Sequence, residues 1–199
     1  MARYGMVMDT RTCVGCDACS ASCSIENQTP YWNNKFRTKV LDIEQGSYPN
    51  ANRHFVPTIC MHCEEPACVE VCPSGASFVN EGGFVLVDYE KCMGCRACMA
   101  ACPYDARYIY AKEDVNRSLQ LYGEELAQHQ VPHVDKCTFC YDRVAEGLEP
   151  ACVSTCPEKS RIFGNLDDPD SEVSKLVSSG MAKPLRPELG TKPKVFYIW

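Results

Sequence analysis

Apolar positions in this chain come in short runs broken by cysteines and turn residues, and only some of them read as regular elements. Tyr4-Gly5-Met6-Val7-Met8-Asp9 has the pattern of a strand. Ser77-Phe78-Val79, the turn Asn80-Glu81-Gly82-Gly83 and Phe84-Val85-Leu86-Val87-Asp88 predict a hairpin. Arg161-Ile162-Phe163-Gly164 predicts another strand. Two more are expected at Phe36 to Ile43 and His54 to Thr58, around the turn-rich Gly46-Ser47-Tyr48-Pro49-Asn50. Residues 111–131 read as a polar, weakly helical excursion carrying Val115, Leu119 and Leu126. Ser171 to Ser179 predicts a short helix, with Val173, Leu176 and Val177 on one face and Gly180 at its end. The tail Lys194-Val195-Phe196-Tyr197-Ile198-Trp199 fits either a core strand or a hook onto a partner. No run of eighteen apolar residues occurs, so no direct membrane span is expected. The strand pattern begins almost at once, which leaves no room for a signal peptide, so export would have to be carried by something else.

Cysteine changes the picture. It makes up about 8% of the 199 residues, a density that means disulfides or metal. The sixteen fall into four groups: Cys13-x2-Cys16-x2-Cys19-x3-Cys23; Cys60-x2-Cys63-x4-Cys68-x3-Cys72; Cys92-x2-Cys95-x2-Cys98-x3-Cys102; and Cys137-x2-Cys140-x11-Cys152-x3-Cys156. Proline follows the last three groups, as Pro73, Pro103 and Pro157, and Ser24 follows the first. Three closely spaced thiolates wrap one face of an iron–sulfur cubane, while the fourth, before a proline, ligates the other cluster of a two-cluster ferredoxin. Secreted disulfide scaffolds do not space their cysteines in such rows, and a zinc knuckle uses two pairs and not repeated triplets. Four [4Fe–4S] clusters are therefore expected.

An internal repeat underlies the groups. Val14-Gly15-Cys16-Asp17-Ala18-Cys19 matches Met93-Gly94-Cys95-Arg96-Ala97-Cys98, and Glu65-Pro66-Ala67-Cys68-Val69 matches Glu149-Pro150-Ala151-Cys152-Val153. Linker length then decides pairing. Groups two and three are joined by the nineteen residues Pro73 to Lys91, the pattern of a bacterial ferredoxin, leaving groups one and four as halves of a second module. The expected fold is α+β: two bacterial-type ferredoxin modules of two clusters each, one inserted between the halves of the other. Residues 1–59 with 131–199 form the split module and its C-terminal extension, 60–110 the contiguous module, and 111–130 an inserted excursion. The ligand sets expected from the three-plus-one rule are Cys13, Cys16, Cys19 with Cys156; Cys137, Cys140, Cys152 with Cys23; Cys60, Cys63, Cys68 with Cys102; and Cys92, Cys95, Cys98 with Cys72.

Charge narrows the partners. The formal net charge of −6 falls to roughly −14 when each cubane with its four thiolates adds about −2, which argues against nucleic acid and against an anionic membrane surface. Arg11, Lys91, Arg96, Arg107, Lys136 and Lys159 lie beside ligands and are candidates to raise cluster potentials. His62, between two ligands, is expected to pack or to donate to a sulfur; His54, His129 and His133 are expected to be surface or satisfied structural residues. Cysteine occupies every expected iron site, so catalysis by this chain alone is not expected. An electron-transfer subunit is the leading reading, with a free-standing soluble polyferredoxin as the alternative.

Cys102-Pro103-Tyr104-Asp105-Ala106-Arg107-Tyr108, Cys137-Thr138-Phe139-Cys140 and Glu149-Pro150-Ala151-Cys152 resemble the iron–sulfur subunits of respiratory molybdopterin enzymes. So do the order of the groups and Gly164-Asn165-Leu166-Asp167-Asp168-Pro169. The resemblance is nearest to the small subunits of polysulfide, thiosulfate and arsenate reductases. It implies a relay between a molybdenum or tungsten pterin catalytic subunit, near the first group's cluster, and a membrane quinone subunit, near the third group's. Some members replace a cysteine of the third group, whereas here Cys95 and its neighbours are intact. The resemblance also implies an extracytoplasmic, membrane-associated location reached by export with the catalytic subunit, a cytoplasmic complex being the alternative.

Overall fold

The computed structural model describes residues 2–199. Strand β1 (Tyr4–Asp9) leads through the first cysteine loop into α1 (Ala18–Asn27), followed by the long hairpin of β2 (Lys39–Ser47) and β3 (Asn50–Thr58). Next come α2 (Ala67–Glu70), the short hairpin β4 (Ser77–Val79) and β5 (Val85–Val87), and α3 (Ala97–Ala100). β6 (Tyr108–Tyr110) precedes α4 (Lys112–Tyr122), and β7 (His133–Asp135) returns beside β6. The last part of the chain holds α5 (Tyr141–Ala145), α6 (Ala151–Ser154), β8 (Arg161–Asn165), α7 (Glu172–Ser178), β9 (Lys183–Pro184) and β10 (Val195–Ile198). The mixture of short helices and strands is α+β.

The main sheet has the order β8-β1-β10-β9. β1 is antiparallel to β8, with Met8 opposite Arg161, and parallel to β10, with Met6 opposite Val195. Met6, Val7 and Met8 are all buried because both faces of the sheet are covered. Met6, Met8, Val195 and Tyr197 face a core shared with Phe84 and Phe139, whereas Val7 and Ile198 face a smaller one with Val173 of α7. Of the two readings of the tail, the structure takes the core strand: β10 lies inside the sheet, and the Tyr197 hydroxyl donates to the Pro57 carbonyl at 2.8 Å.

One further expectation shifts. The β2–β3 ladder runs from Lys39–Thr58 to Ser47–Asn50, so the turn narrows to Tyr48-Pro49 and Gly46 and Asn50 join the strands. Cross-strand pairing outweighs their weak strand preference. The excursion begins with α4, whose Asp114 carboxylate accepts from the Ala111 N–H at 2.9 Å, Trp32 Nε1 at 3.1 Å and Lys35 Nζ at 2.7 Å. That carboxylate caps the helix and ties it to the segment after α1.

Candidate metal centres

The cysteine loops owe their shape to residues in the left-handed region. Gly15 (φ +68°) and Gly94 (φ +66°) sit inside the two x2 triplets, each followed by a second left-handed residue, Asp17 or Arg96. Gly15 must also lack a side chain, since a Cβ would lie 2.4 Å from the Phe55 ring. The x3 step spans a helical turn at or beside α1, α2, α3 or α6. Third and fourth cysteines are thereby about 6 Å apart along the axis, facing the same side but reaching different cavities.

Four cavities gather the sixteen cysteines. Cavity I is lined by Cys13, Cys16, Cys19 and Cys156; cavity II by Cys23, Cys137, Cys140 and Cys152; cavity III by Cys60, Cys63, Cys68 and Cys102; cavity IV by Cys72, Cys92, Cys95 and Cys98. None of the sixteen is paired in a disulfide. Among the described residues no three His, Cys, Asp or Glu side chains close on a single-ion site. Four cysteines line each cavity, which suits a cubane with an iron at each of four corners. Burial pushes the Cys63 and Cys152 thiols up to about 11, so their thiolates need cationic company, which cluster iron supplies.

Three buried cations stand between neighbouring cavities. Arg161 donates from Nη2 to Cys19 Sγ at 3.2 Å in cavity I, and its charge also acts on Cys152 of cavity II. Lys136 donates to the Cys137 carbonyl at 2.8 Å and to that of Val85, and it is held among Cys137 of cavity II and Cys60 and Cys68 of cavity III. Burial pulls its pKa down, with the cysteine charges opposing. Arg107 donates to Cys68 Sγ at 2.9 Å in cavity III, and its charge reaches Cys98 of cavity IV. The cavities therefore follow one another as I–II–III–IV.

Sequence reasoning singled out Arg107 and Lys136 but missed Arg161, although a signal was present: both arginines lie five residues after the last cysteine of their group. Arg11, Lys91, Arg96 and Lys159 are exposed instead. Arg37, also missed, is buried and donates to Asp135 at 2.9 Å and to Asn27 Oδ1 at 2.6 Å; Asn27 in turn donates to Cys23 Sγ at 3.5 Å. Burial opposes both charges of the Arg37–Asp135 pair, yet their mutual attraction raises the arginine pKa and lowers that of the aspartate. His62 donates to no sulfur. Its Nδ1 accepts the Val85 N–H at 3.2 Å, so the proton lies on Nε2, which donates to the Cys137 carbonyl at 3.0 Å. Its ring stacks on Phe139 at 3.8 Å. His129 and His133 are buried and not on the surface, stacked among Tyr89 and Tyr110.

Residues 51–166 and, overlapping them, residues 8–76 match families described as 4Fe-4S dicluster domains. A protein of Halobacterium salinarum, provisionally named as the iron–sulfur subunit of a dimethyl sulfoxide reductase, is 43% identical over 100% of this chain and 79% of its own. One of the chains of the polysulfide reductase of Wolinella succinogenes is 40% identical over 98% and 94%. The arsenate respiratory reductase iron–sulfur subunit of a Shewanella species is 36% identical over 98% and 96%. This protein belongs to the iron–sulfur subunits of the dimethyl sulfoxide reductase family. As a member it carries four [4Fe–4S] clusters and is an electron-transfer subunit of an oxidoreductase complex. The free polyferredoxin is not favoured.

Proposed function

We propose that the chain is a non-catalytic wire with two ends, running from a molybdenum or tungsten pterin catalytic subunit at cavity I to a membrane quinone subunit at cavity IV. The observation that carries this reading is the series of four cysteine cavities with a buried cation at each junction. One-electron transfer is the chemistry the clusters supply when bound. The cysteines hold them, and Arg161, Lys136 and Arg107 offset negative charge that would otherwise sit uncompensated in a low-dielectric interior. Cys16 and Cys95, at opposite ends of the series, are the exposed ligands through which the terminal sites meet solvent or a partner. With four cysteines at each site, no iron corner is left for substrate.

The ligand sets proposed are those of the four cavities, and the modules are proposed to be nested: residues 60–110 contiguous, 1–59 with 131–199 split, 111–130 an insertion. The β1–β8 pairing supports the split module, since the strand before the first group lies beside the strand after the fourth. Cys72→Ser tests both. It should damage the site of Cys92, Cys95 and Cys98, read by paramagnetic resonance of the intact complex; damage confined to the Cys60, Cys63 and Cys68 site would rule the nesting out. The partners are tested by native purification, which should bring down a larger subunit containing molybdenum or tungsten. An extracytoplasmic location is part of the same reading, and protease accessibility in spheroplasts tests it.

A further inference from the structure

The first cysteine group is the one not followed by proline, and its helix is the one that continues past the fourth cysteine. After Cys72, Cys102 and Cys156 the chain turns off at Pro73, Pro103 and Pro157, and α2, α3 and α6 are four residues each. Ser24 lets α1 run on to Asn27. Asn27 follows Cys23 by four residues, so it lies on the same helix face and lines the same cavity II. The other groups carry Ala76, Ala106 and Ser160 at the equivalent position. The Asn27 amide is buried and reaches two ligands. Its Nδ2 donates to the Cys23 carbonyl at 3.0 Å and lies 3.5 Å from Cys23 Sγ and 3.9 Å from Cys140 Sγ.

Arg37 fixes which way that amide points. A guanidinium has donors only, so the Asn27 atom facing it at 2.6 Å is Oδ1, and the other end, Nδ2, is turned to the sulfurs. A flipped amide would set an NH2 group against the guanidinium and a carbonyl oxygen against two thiolates. Arg37 is itself held in place. Its Nε donates to Asp135 at 2.9 Å, Nη2 to the Tyr89 hydroxyl at 3.0 Å, and Nη1 reaches Thr138 Oγ1 at 3.4 Å. Asp135 balances the guanidinium charge, so the amide dipole is the main thing this network delivers to cavity II. We infer that Asn27 tunes the cluster of cavity II, raising its potential by donating to Cys23 and Cys140, and that Arg37 is the positioning residue holding the amide in that orientation. This rests on the ligand set proposed above for cavity II. A reduced cluster carries one more negative charge than an oxidised one, so a donor at its ligand sulfurs favours the reduced form. The guanidinium on the amide oxygen polarises the N–H bonds and strengthens the effect.

The test is a redox titration of the native complex, followed by paramagnetic resonance. Cys23→Ser and Cys140→Ser must first alter the same signal; two different signals would refute the ligand set before Asn27 is touched. On that signal, Asn27→Leu should disfavour reduction by about tenfold, a shift of about 60 mV to more negative potential, with the other three clusters unmoved. Arg37→Lys keeps the charge but offers one ammonium where the fork met several partners. Drawn to Asp135, it releases the amide, and reduction of the same cluster should be disfavoured by about threefold or more. Should Asn27→Leu lose iron, wild-type protein isotopically labelled at its asparagine side-chain nitrogens makes the same test: the label should alter a nitrogen coupling on the cavity II signal. An unmoved potential in Asn27→Leu, an equal shift of all four clusters, or no coupling from the label overturns the tuning role. A wild-type potential in Arg37→Lys overturns the positioning role.

Discussion

Arg161 is the residue whose removal is most informative. Its guanidinium is buried and bonded to Cys19 Sγ, and a reduced cluster carries one more negative charge than an oxidised one. The cation therefore favours reduction. Arg161→Gln should shift the potential at cavity I to more negative values by about 60 mV, the one-electron equivalent of a tenfold change in equilibrium, with Arg161→Lys recovering part of it. A redox titration of the complex followed by paramagnetic resonance reads the shift. An unchanged potential would reduce the arginine to a packing role. His129 is informative in another way. Burial lowers its pKa to about 4, against about 6.5 for an ordinary histidine, so between these values the unfolded state takes up the extra proton. Stability should fall as pH drops through that window, by on the order of 3 kcal/mol, with His133 shifted the same way. Iron loss from anaerobic protein should accelerate between pH 7 and pH 5, and less steeply in His129→Gln. Equal slopes would place the acid-sensitive group elsewhere.

Among the elements, β10 bears most on the whole. The Tyr197 ring is fully buried beside β1, in the core that also holds Cys19, Cys60, Cys137 and Cys152. Tyr197→Ala should cost roughly 3–5 kcal/mol and reduce iron content together with stability, as measured by denaturation and iron analysis. Were the tail instead a peripheral hook, the same change would loosen a partner and leave iron at wild-type levels. The β2–β3 hairpin is the opposite case: its outer residues are exposed, and changes there are expected to spare the core. The x3 helical turns lie between these extremes, because each one links two sites and a distortion reaches both.

At the scale of the whole molecule, anaerobically purified protein should contain about sixteen iron and sixteen acid-labile sulfide per chain, from four cubanes. About four zinc with no sulfide would refute the cluster assignment outright. The cysteine rows were legible from the chain alone because their geometry is local: two-residue loops bend at Gly15 and Gly94, and a three-residue spacer makes one helical turn. Linker length added the expectation that groups two and three belong together. The α7 helix was legible too, from three apolar residues on one face and a glycine stop. Long-range packing decided the rest. Whether Lys194–Trp199 formed a core strand or a hook depended on β1 being free to accept a parallel neighbour, and no feature of the tail itself encodes that. Arg107 and Arg161 sit at the same offset from their cysteines, yet their partners are brought to them across 39 and 142 residues of chain. Lys136 precedes a ligand in sequence like any other basic residue, and its role comes from being buried between cavities II and III. Cysteine spacing is a covalent distance, which the sequence carries by itself; the burial of a charge and the identity of its neighbours exist only once the sheet and the loops have closed around it.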